Sequence, residues 1–366
     1  MKNLRRREFL KKSAVAALGS SALISACSDE KKYAEPDKIS NEKFEWKMVT
    51  AWPPHYPILG ESADKMAKEI EVMSSGRLKI KVFGGGELVP ALESFDAASQ
   101  GVADMCHSAS YYWAGKVPAA QFFTAIPFGM NSQQAYSWFF NGGGIDLWKE
   151  IYDPFNLIPF PAGGTGAQMG GWFNKQINSV ADLNGLKMRI PGIGGKVMNK
   201  AGGSSVLSAG AEIYTNLERG VIDAAEWVGP YHDYLMGFHK IAKYYYYPGW
   251  QEPASFVELL VNKNSFNGLP DDLKKIIETV ATSHCLSMFS TFEQKNAEYY
   301  NKLKNEEKVD FRKFPDDVLA VLKKYTEEVL QEMTDSDPMS KKVYDSYKKF
   351  QKISSVWTYT AENNYM

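Results

Sequence analysis

An arginine inside a short apolar strand is the residue of this chain with the clearest chemical potential. Arg189 lies between Met188 and Ile190 in the segment 184–195, which contains Pro191 and several glycines. A guanidinium among apolar side chains requires an anionic partner, because burying an isolated charge is costly. The partner is either an internal carboxylate or the carboxylate of a ligand, which a guanidinium binds through two parallel hydrogen bonds.

A carboxylate at the end of a second apolar strand is the other candidate for chemistry. Glu226 precedes Trp227 there, and Asp223 is an alternative internal partner for Arg189. A buried glutamate needs a positive charge close by. Oxygen atoms from Glu226, from the amide of Gln168 and from a main-chain carbonyl suit a hard ion such as sodium or calcium rather than zinc. The alternative is a direct Arg189–Glu226 salt bridge without an ion.

Several catalytic and cofactor motifs are incomplete in this sequence. The glycine-rich segment before Lys196 continues with Val197, so it matches neither a phosphate loop nor a dinucleotide fingerprint. His232 and His239 lack a third ligand at zinc-like spacing, and we interpret them as surface or cleft-rim residues. No nucleophile elbow or zinc-protease motif occurs. The sequence therefore gives no support for an enzyme.

The order of predicted strands and helices places these residues in one half of a two-lobed α/β protein. Strands alternate with helices from residue 46 onward, which predicts mostly parallel sheets. We predict a first lobe from residues 44–163 plus 254–303, and a second lobe from residues 164–253. The apolar run 122–128 is expected to be a buried strand. A chain that crosses twice between lobes forms a hinge and a cleft, where small molecules bind.

The C-terminal part of the sequence is predicted to be helical. Apolar residues keep a helical spacing from Pro270 to about Leu303, long enough for one helix to brace both lobes, and residues 304–366 are assigned to further helices. One face of the last helix carries the stripe Val343, Tyr347, Phe350, Ser354 and Trp357. Such a stripe packs against its own chain or docks onto a second subunit.

The N-terminal residues are typical of an export signal. A twin-arginine pair at positions 6–7 is followed by apolar runs that are too short to span a membrane. The four residues that end at Cys27 resemble a bacterial lipoprotein cleavage box. We predict a signal over residues 1–27 that ends at a lipidated Cys27, and a polar linker over residues 28–43. The alternative is a signal peptide cut elsewhere.

Composition argues against nucleic acid as a partner. Without residues 1–27 the chain has 36 basic and 42 acidic residues, whereas a protein that binds nucleic acid presents a basic face. Cys106 and Cys285 are then the remaining cysteines. One pair so distant in sequence is not a disulfide framework, and we expect two buried thiols.

Six segments together resemble the solute-binding proteins of TRAP transporters, the DctP family. They lie at residues 87–93, 107–116, 168–173, 185–191, 222–230 and 243–250. The resemblance extends from about Trp46 to the tail, and it is strongest to the dimeric subgroup that binds 2-oxo acids or lactate with a metal ion. It implies a two-lobed periplasmic binding protein fold, type II-like, with a long spanning helix and a C-terminal helical extension.

The resemblance also implies the residues of the ligand site. Arg189 matches the arginine that holds the substrate carboxylate. Sodium or calcium is expected to bind the side chains of Gln168 and Glu226, the main-chain carbonyl of Trp227 and two oxygen atoms of the substrate. Three aromatic residues are expected to line the pocket, Tyr112, Trp172 and Phe173.

The function implied is that of an extracytoplasmic receptor that does no chemistry on its ligand. It is expected to capture a small 2-oxo or 2-hydroxy monocarboxylate such as pyruvate, 2-oxobutyrate or lactate, and to pass it to the small and large membrane subunits of a TRAP permease. A homodimer through residues 340–357 is also implied. Two positions depart from the family, Gly164 where Asn is expected and Gln251 where His is expected. Competing functions are an enzyme acting on small carboxylic acids and a sensor subunit that signals to a kinase.

Overall fold

Two β-sheets flanked by helices organise the chain. The computed structural model describes residues 41–361. The predicted signal 1–27, the lipidated Cys27 and most of the linker 28–43 lie outside the described residues. The strands are β1 (Phe44–Thr50), β2 (Leu78–Phe83), β3 (Met105–Ser108), β4 (Leu157–Gly166), β5 (Gly171–Phe173), β6 (Lys187–Arg189), β7 (Ser204–Val206), β8 (Ala224–Ala225), β9 (Tyr244–Tyr247), β10 (Ser255–Asn262) and β11 (Asp310–Lys313).

Helices surround both sheets. In chain order they are α1 (Leu59–Met73), α2 (Ser94–Ser99), α3 (Ser132–Asn141), α4 (Gly144–Tyr152), α5 (Gly192–Lys200), α6 (Gly210–Glu218), α7 (Pro230–Leu235), α8 (Lys263–Asn267), α9 (Asp271–Asn305), α10 (Asp316–Ser336) and α11 (Pro338–Ala361). None of the helices in the described part of the chain combines the length and the apolar character that a membrane crossing requires.

The strand order confirms the predicted α/β fold with two sheets. The first sheet has the order β2-β1-β3-β10-β4 and the second has the order β11-β9-β5-β8-β6-β7. As expected from the sequence, the strand near residues 256–262 returns to the first sheet, where β10 pairs antiparallel with β3 and β4. In the second sheet, β5 is antiparallel to β8 and β9. Both sheets are therefore mixed rather than mostly parallel.

Two predicted elements differ from the structure. The run predicted as a strand at 122–128 begins as a 3-10 helix over Pro118–Phe123, because a continuous apolar run shows burial but not the type of element. Residues 304–366, predicted as helices, include β11, which pairs in parallel with β9 and completes the second sheet. Cys106 and Cys285 are buried free cysteines, as expected.

The long helix α9 contacts elements of both sheets. Near its middle, His284 forms a 2.8 Å hydrogen bond with Ser62 of α1, beside the first sheet. About two turns further along, Phe292 packs on the ring of His232, with 4.7 Å between the ring centroids. Asn296 accepts a hydrogen bond from the main chain of Tyr231 at 3.2 Å. The spanning helix implied by the resemblance is present.

The last helix, α11, is covered by its own chain along its first half. Val343 and Tyr347 are buried, and the Tyr347 hydroxyl accepts a 2.5 Å hydrogen bond from the main chain of Met130. The predicted stripe thus begins as internal packing. Its far end is different, since Trp357 is 67 % exposed. Neighbouring apolar side chains there are also exposed, namely Ile353, Val356 and Tyr359.

Candidate functional site

Arg189 and Glu226 are neighbours at the carboxyl ends of two parallel strands. Arg189 ends β6 and pairs with Ala225 of β8, and Glu226 follows β8 directly. The N–H of Glu226 donates to the carbonyl of Arg189 at 3.2 Å. Their side chains are 1 % and 0 % exposed. In open α/β sheets this edge is where ligands bind.

The two side chains are in direct contact. Nη1 of Arg189 donates to Oε1 of Glu226 and, at 3.1 Å, to the main-chain carbonyl of Glu226. This is the ion-free salt bridge that the sequence left open as an alternative. The other candidate partner, Asp223, instead accepts from Lys175 at 2.9 Å and from the main chain of Lys187 at 3.0 Å.

The Arg189–Glu226 contact uses only part of each charged group. Nε and Nη2 of Arg189 and Oε2 of Glu226 are buried without a hydrogen-bond partner. Buried polar atoms normally have a partner, and those of charged groups cost the most when they have none. The pair therefore presents both a donor edge and an acceptor atom.

Gln168 adds a neutral acceptor near this pair. Its Nε2 donates to the Thr165 hydroxyl at 3.1 Å, while its Oε1 is buried without a partner. The next residue, Met169, donates its N–H to the carbonyl of Val228 at 3.1 Å, which ties this segment to the one that carries Glu226. Within residues 41–361 no three His, Cys, Asp or Glu side chains are grouped to hold a metal. Amide and carboxylate oxygens of the kind found here fit a hard cation.

Acidic side chains outnumber basic side chains around the site. Burial raises the pKa of Glu226 well above its usual value. Arg189 lowers this pKa in part, whereas the nearby carboxylates of Glu252 and Asp233 raise it further. Burial likewise raises the pKa of Glu252 to about 7, although Ser255 and Arg189 lower it. Sequence reasoning missed Glu252, whose only signal was a charge beside Pro253 in an aromatic-rich segment.

Aromatic rings surround the guanidinium of Arg189. Its Cζ lies 5.2 Å from the ring centroid of Trp227, within cation–π range. Burial lowers the pKa of Arg189, but the charge of Glu226 and the interactions with Tyr112 raise it above its usual value overall. Tyr112 belongs to the 3-10 helix Ser110–Trp113 that follows β3, so the first sheet contributes to a site built on the second.

Trp172 and Phe173 point to opposite faces of β5, as successive strand residues must. Trp172 stacks on Tyr245 with 4.1 Å between ring centroids and donates to Asp233 at 3.0 Å. Phe173 packs instead on Tyr246 and Phe314. One pocket can therefore be lined by at most one of the two, because only one face of β5 looks toward it.

A loop after β1 joins the first sheet to the second beside the site. The Trp227 indole donates to the Tyr56 hydroxyl at 3.3 Å. The His232 Nε2 lies 2.8 Å from the carbonyl of Pro57, which accepts its hydrogen. His232 is fully buried, so its interpretation as a surface or cleft-rim residue is wrong. Burial lowers the pKa of His232 to about 3, although the Pro57 carbonyl raises it.

A buried carboxylate fixes the segment that carries Tyr112. Glu258 of β10 is 0 % exposed. It accepts from Ser108 at 3.2 Å and from Ser110 at 2.6 Å. It also accepts from the Trp113 indole at 2.7 Å. Sequence reasoning missed this residue, because a single charge in an apolar strand does not reveal its partners.

Little space is available for a side chain at Gly164. A Cβ atom at this position would lie 2.6 Å from the Tyr136 hydroxyl and 3.1 Å from the carbonyl of Ser255. The Tyr136 hydroxyl donates to the carbonyl of Cys285 at 3.3 Å. An asparagine at this position would therefore require the Tyr136 side chain to move.

Comparisons with known proteins identify the family of this chain. Residues 48–337 match the family described as bacterial extracellular solute-binding protein, family 7. A monocarboxylate 2-oxoacid-binding periplasmic protein of a Nostoc species is 41 % identical over 99 % of this chain and 98 % of its own length.

Two solved structures of TRAP periplasmic solute-binding proteins are also similar. The protein of Pseudoalteromonas atlantica, with bound sodium and pyruvate, is 43 % identical with a TM-score of 0.86, over 88 % of this chain and 98 % of that one. The protein of Colwellia psychrerythraea, with bound calcium and pyruvate, is 42 % identical with a TM-score of 0.86, over 88 % and 99 %. The chain therefore belongs to the TRAP-transporter solute-binding proteins, a family of periplasmic transport receptors and not of enzymes.

Proposed function

We propose that this receptor binds a small 2-oxo or 2-hydroxy monocarboxylate, of the pyruvate, 2-oxobutyrate or lactate type, together with a sodium or calcium ion. The observation that carries the proposal is the set of buried, unpartnered atoms at the site, which includes both donors and acceptors. A carboxylate would satisfy Nε and Nη2 of Arg189, and a cation would satisfy Oε2 of Glu226 and Oε1 of Gln168. Relatives bind pyruvate with sodium in one case and with calcium in another.

Each residue has a separate part in this proposal. Arg189 holds the ligand carboxylate, because a guanidinium presents two parallel donors to two oxygens. Glu226, Gln168 and the main-chain carbonyl of Trp227 hold the ion, which bridges protein and ligand oxygens when bound. Tyr112 covers the site from the side of the first sheet, and we assign the apolar wall to Trp172 rather than to Phe173.

Native mass spectrometry of the purified protein tests the function. We expect the protein to carry one carboxylic acid and one ion per chain after addition of pyruvate, and to return the pyruvate chemically unchanged. A thermal unfolding scan should show a higher midpoint with pyruvate than without, because a ligand that binds only the folded state stabilises it. Mass spectra that show neither acid nor ion at saturating pyruvate would contradict the proposal.

Delivery of the ligand requires partners at a membrane. We propose that the receptor meets the small and large membrane subunits of a TRAP permease, after twin-arginine export and anchoring by a lipid on Cys27. The motifs of residues 1–27 support this location. The intact mass of protein recovered from the membrane fraction is the check. It should correspond to a chain that begins at an acylated Cys27, and an unmodified mass with a different first residue would refute anchoring there.

We also propose that two receptors form a homodimer through α11. The argument is the exposed apolar end of this helix, where Trp357 is 67 % exposed and Val356 is 68 % exposed. Light scattering coupled to size-exclusion chromatography measures the molar mass. The double variant Val356→Glu, Trp357→Glu should have the mass of a monomer, while the unmodified protein should have the mass of a dimer. Ser355→Glu, on an exposed polar position of the same helix, is the matched control. If the unmodified protein has the mass of a monomer, this proposal is wrong.

A further inference from the structure

A tryptophan of the first sheet lies against the residue that covers the proposed ligand site. Trp52 comes two residues after the end of β1 and is buried. Its ring lies 6.3 Å from the ring of Tyr112, measured between the ring centroids. Trp52 also belongs to the buried hydrophobic cluster that contains Trp172 of β5 and Trp227, which follows β8. Trp52 is therefore part of the apolar surface that joins the two sheets.

The segment against which this ring packs reaches the second sheet beside Arg189. Tyr112 shares a 3-10 helix with Tyr111. Tyr111 packs on Gly192, three residues after Arg189, and a Cβ atom at Gly192 would lie 3.1 Å from Cβ of Tyr111. The two segments are thus as close as a residue without a side chain allows. The ring of Trp52 therefore lies next to a segment that contacts the surroundings of Arg189.

The chain that follows Trp52 reaches the second sheet at another point of the site. Tyr56 accepts the hydrogen bond from the Trp227 indole, and the Trp227 ring lies 5.2 Å from Cζ of Arg189. Trp52 is thus flanked by two segments that each contact the surroundings of Arg189. The proposed donors and ion ligands all lie on the side of the second sheet. A wall from the first sheet is therefore left to meet the remaining, apolar part of a ligand.

A buried histidine fixes the indole of Trp52. The indole N–H donates to Nδ1 of His107 at 2.9 Å. Because an indole nitrogen only donates, Nδ1 is the acceptor and the proton of the neutral imidazole lies on Nε2. Burial lowers the pKa of His107 to about 3, which keeps the ring neutral and the acceptor available at neutral pH. The one polar atom of the indole is thus turned toward His107, and the rest of the ring is an apolar surface of fixed orientation.

We propose that Trp52 is a specificity-determining residue of this receptor, whose fixed indole limits the length of the apolar substituent on a bound 2-oxo or 2-hydroxy acid, and that His107 positions it. This role rests on the proposed function, because it concerns the part of the same ligand that Arg189 and the ion do not hold. The wall of Trp52 and Tyr112 leaves a short substituent, such as the methyl group of pyruvate, in contact with apolar atoms. A longer chain would have to displace the indole and break its hydrogen bond to His107.

The chain length of the ligand provides the test. Isothermal titration calorimetry measures the dissociation constants of pyruvate and of 2-oxohexanoate, a straight-chain 2-oxo acid with three more methylenes, in buffer with saturating sodium and calcium. We expect the unmodified protein to bind pyruvate more tightly. Trp52→Leu opens space beside Tyr112, and each methylene that leaves water strengthens binding by roughly fourfold. The preference for pyruvate over 2-oxohexanoate should therefore fall by about tenfold or more in Trp52→Leu.

Two variants of His107 test its positioning role. His107→Leu removes the acceptor and frees the indole to turn, so the preference for pyruvate should fall by about threefold or more. His107→Asn keeps an acceptor, because its amide oxygen is attached to Cγ as Nδ1 is in histidine, and the preference should stay within about twofold of that of the unmodified protein. An equal loss of preference in both variants would overturn the positioning role.

Trp46→Leu is the matched control for Trp52→Leu. Trp46 is a buried tryptophan of β1 that belongs to a different hydrophobic cluster, on the side of α1. This control should lose stability in thermal unfolding and keep the ligand preference of the unmodified protein. An unchanged preference in folded Trp52→Leu, or an equal change in Trp46→Leu, would overturn the role of Trp52. If Trp52→Leu does not fold, an unchanged preference in His107→Leu overturns it. Binding of neither acid to the unmodified protein would contradict the proposed function instead.

Discussion

Replacing Arg189 by methionine should abolish pyruvate binding and destabilise the ligand-free protein by about 3–5 kcal/mol. The stability loss arises because Glu226 is 0 % exposed and would lose its positive partner. The loss of binding arises because the ligand carboxylate would lose both of its proposed donors. Chemical denaturation measures the first effect, and the pyruvate-dependent shift of the unfolding midpoint measures the second.

A double variant separates these two effects. Arg189→Met combined with Glu226→Gln removes both charges and keeps the side-chain volumes close to the original. Replacing a whole buried ion pair by neutral groups is often tolerated, so the double variant should recover most of the stability lost in Arg189→Met. It should still fail to bind pyruvate. A double variant that binds pyruvate normally would show that Arg189 does not hold the ligand.

Replacing Glu258 by alanine should destabilise the protein by about 3–5 kcal/mol. Three donors now point at its two carboxylate oxygens, from Ser108, Ser110 and Trp113. Each buried donor without an acceptor costs about 1–3 kcal/mol, and the missing side chain leaves a cavity. In chemical denaturation we expect a lower midpoint concentration. The slope of the unfolding free energy against denaturant concentration should stay unchanged.

The conservative replacement Glu258→Gln provides the control. Its amide oxygen can still accept from Trp113, and its amide nitrogen can donate to the Ser110 hydroxyl, so we expect a loss of only about 1 kcal/mol. Because Tyr111 and Tyr112 lie between Ser110 and Trp113, the alanine variant should also bind pyruvate more weakly. Equal stability of the alanine and glutamine variants would mean that the hydrogen bonds of Glu258 contribute little.

Much of the site could be predicted from sequence because its charges sit in apolar strands. Arg189 and Glu226 each interrupt an apolar run, and parallel strands bring the ends of such runs to one edge. The resemblance then placed Gln168 and Trp227 beside them, and the structure brings these segments together through main-chain bonds. The α/β fold and the long helix α9 followed from regular spacing of apolar residues.

Other features depend on packing that the sequence does not encode locally. Glu252 lies near Glu226 only because the segment before β10 folds back onto Gln168. The strand β11 joins the second sheet after a 35-residue helix, so its partner β9 is distant in sequence. The run 122–128 lacks the alternation that would distinguish a strand from a 3-10 helix. His232 is buried because a loop from the first sheet covers it.

The bridge from Tyr56 and Pro57 to Trp227 and His232 consists entirely of neutral groups. A phenol and an indole form one bond, and an uncharged imidazole and a carbonyl form the other. Salt screens interactions between charges, but it has little effect on such dipolar contacts. Any separation of the two sheets must break both bonds, and neither bond should weaken as ionic strength rises. These two contacts should therefore hold equally well in dilute and in saline solution.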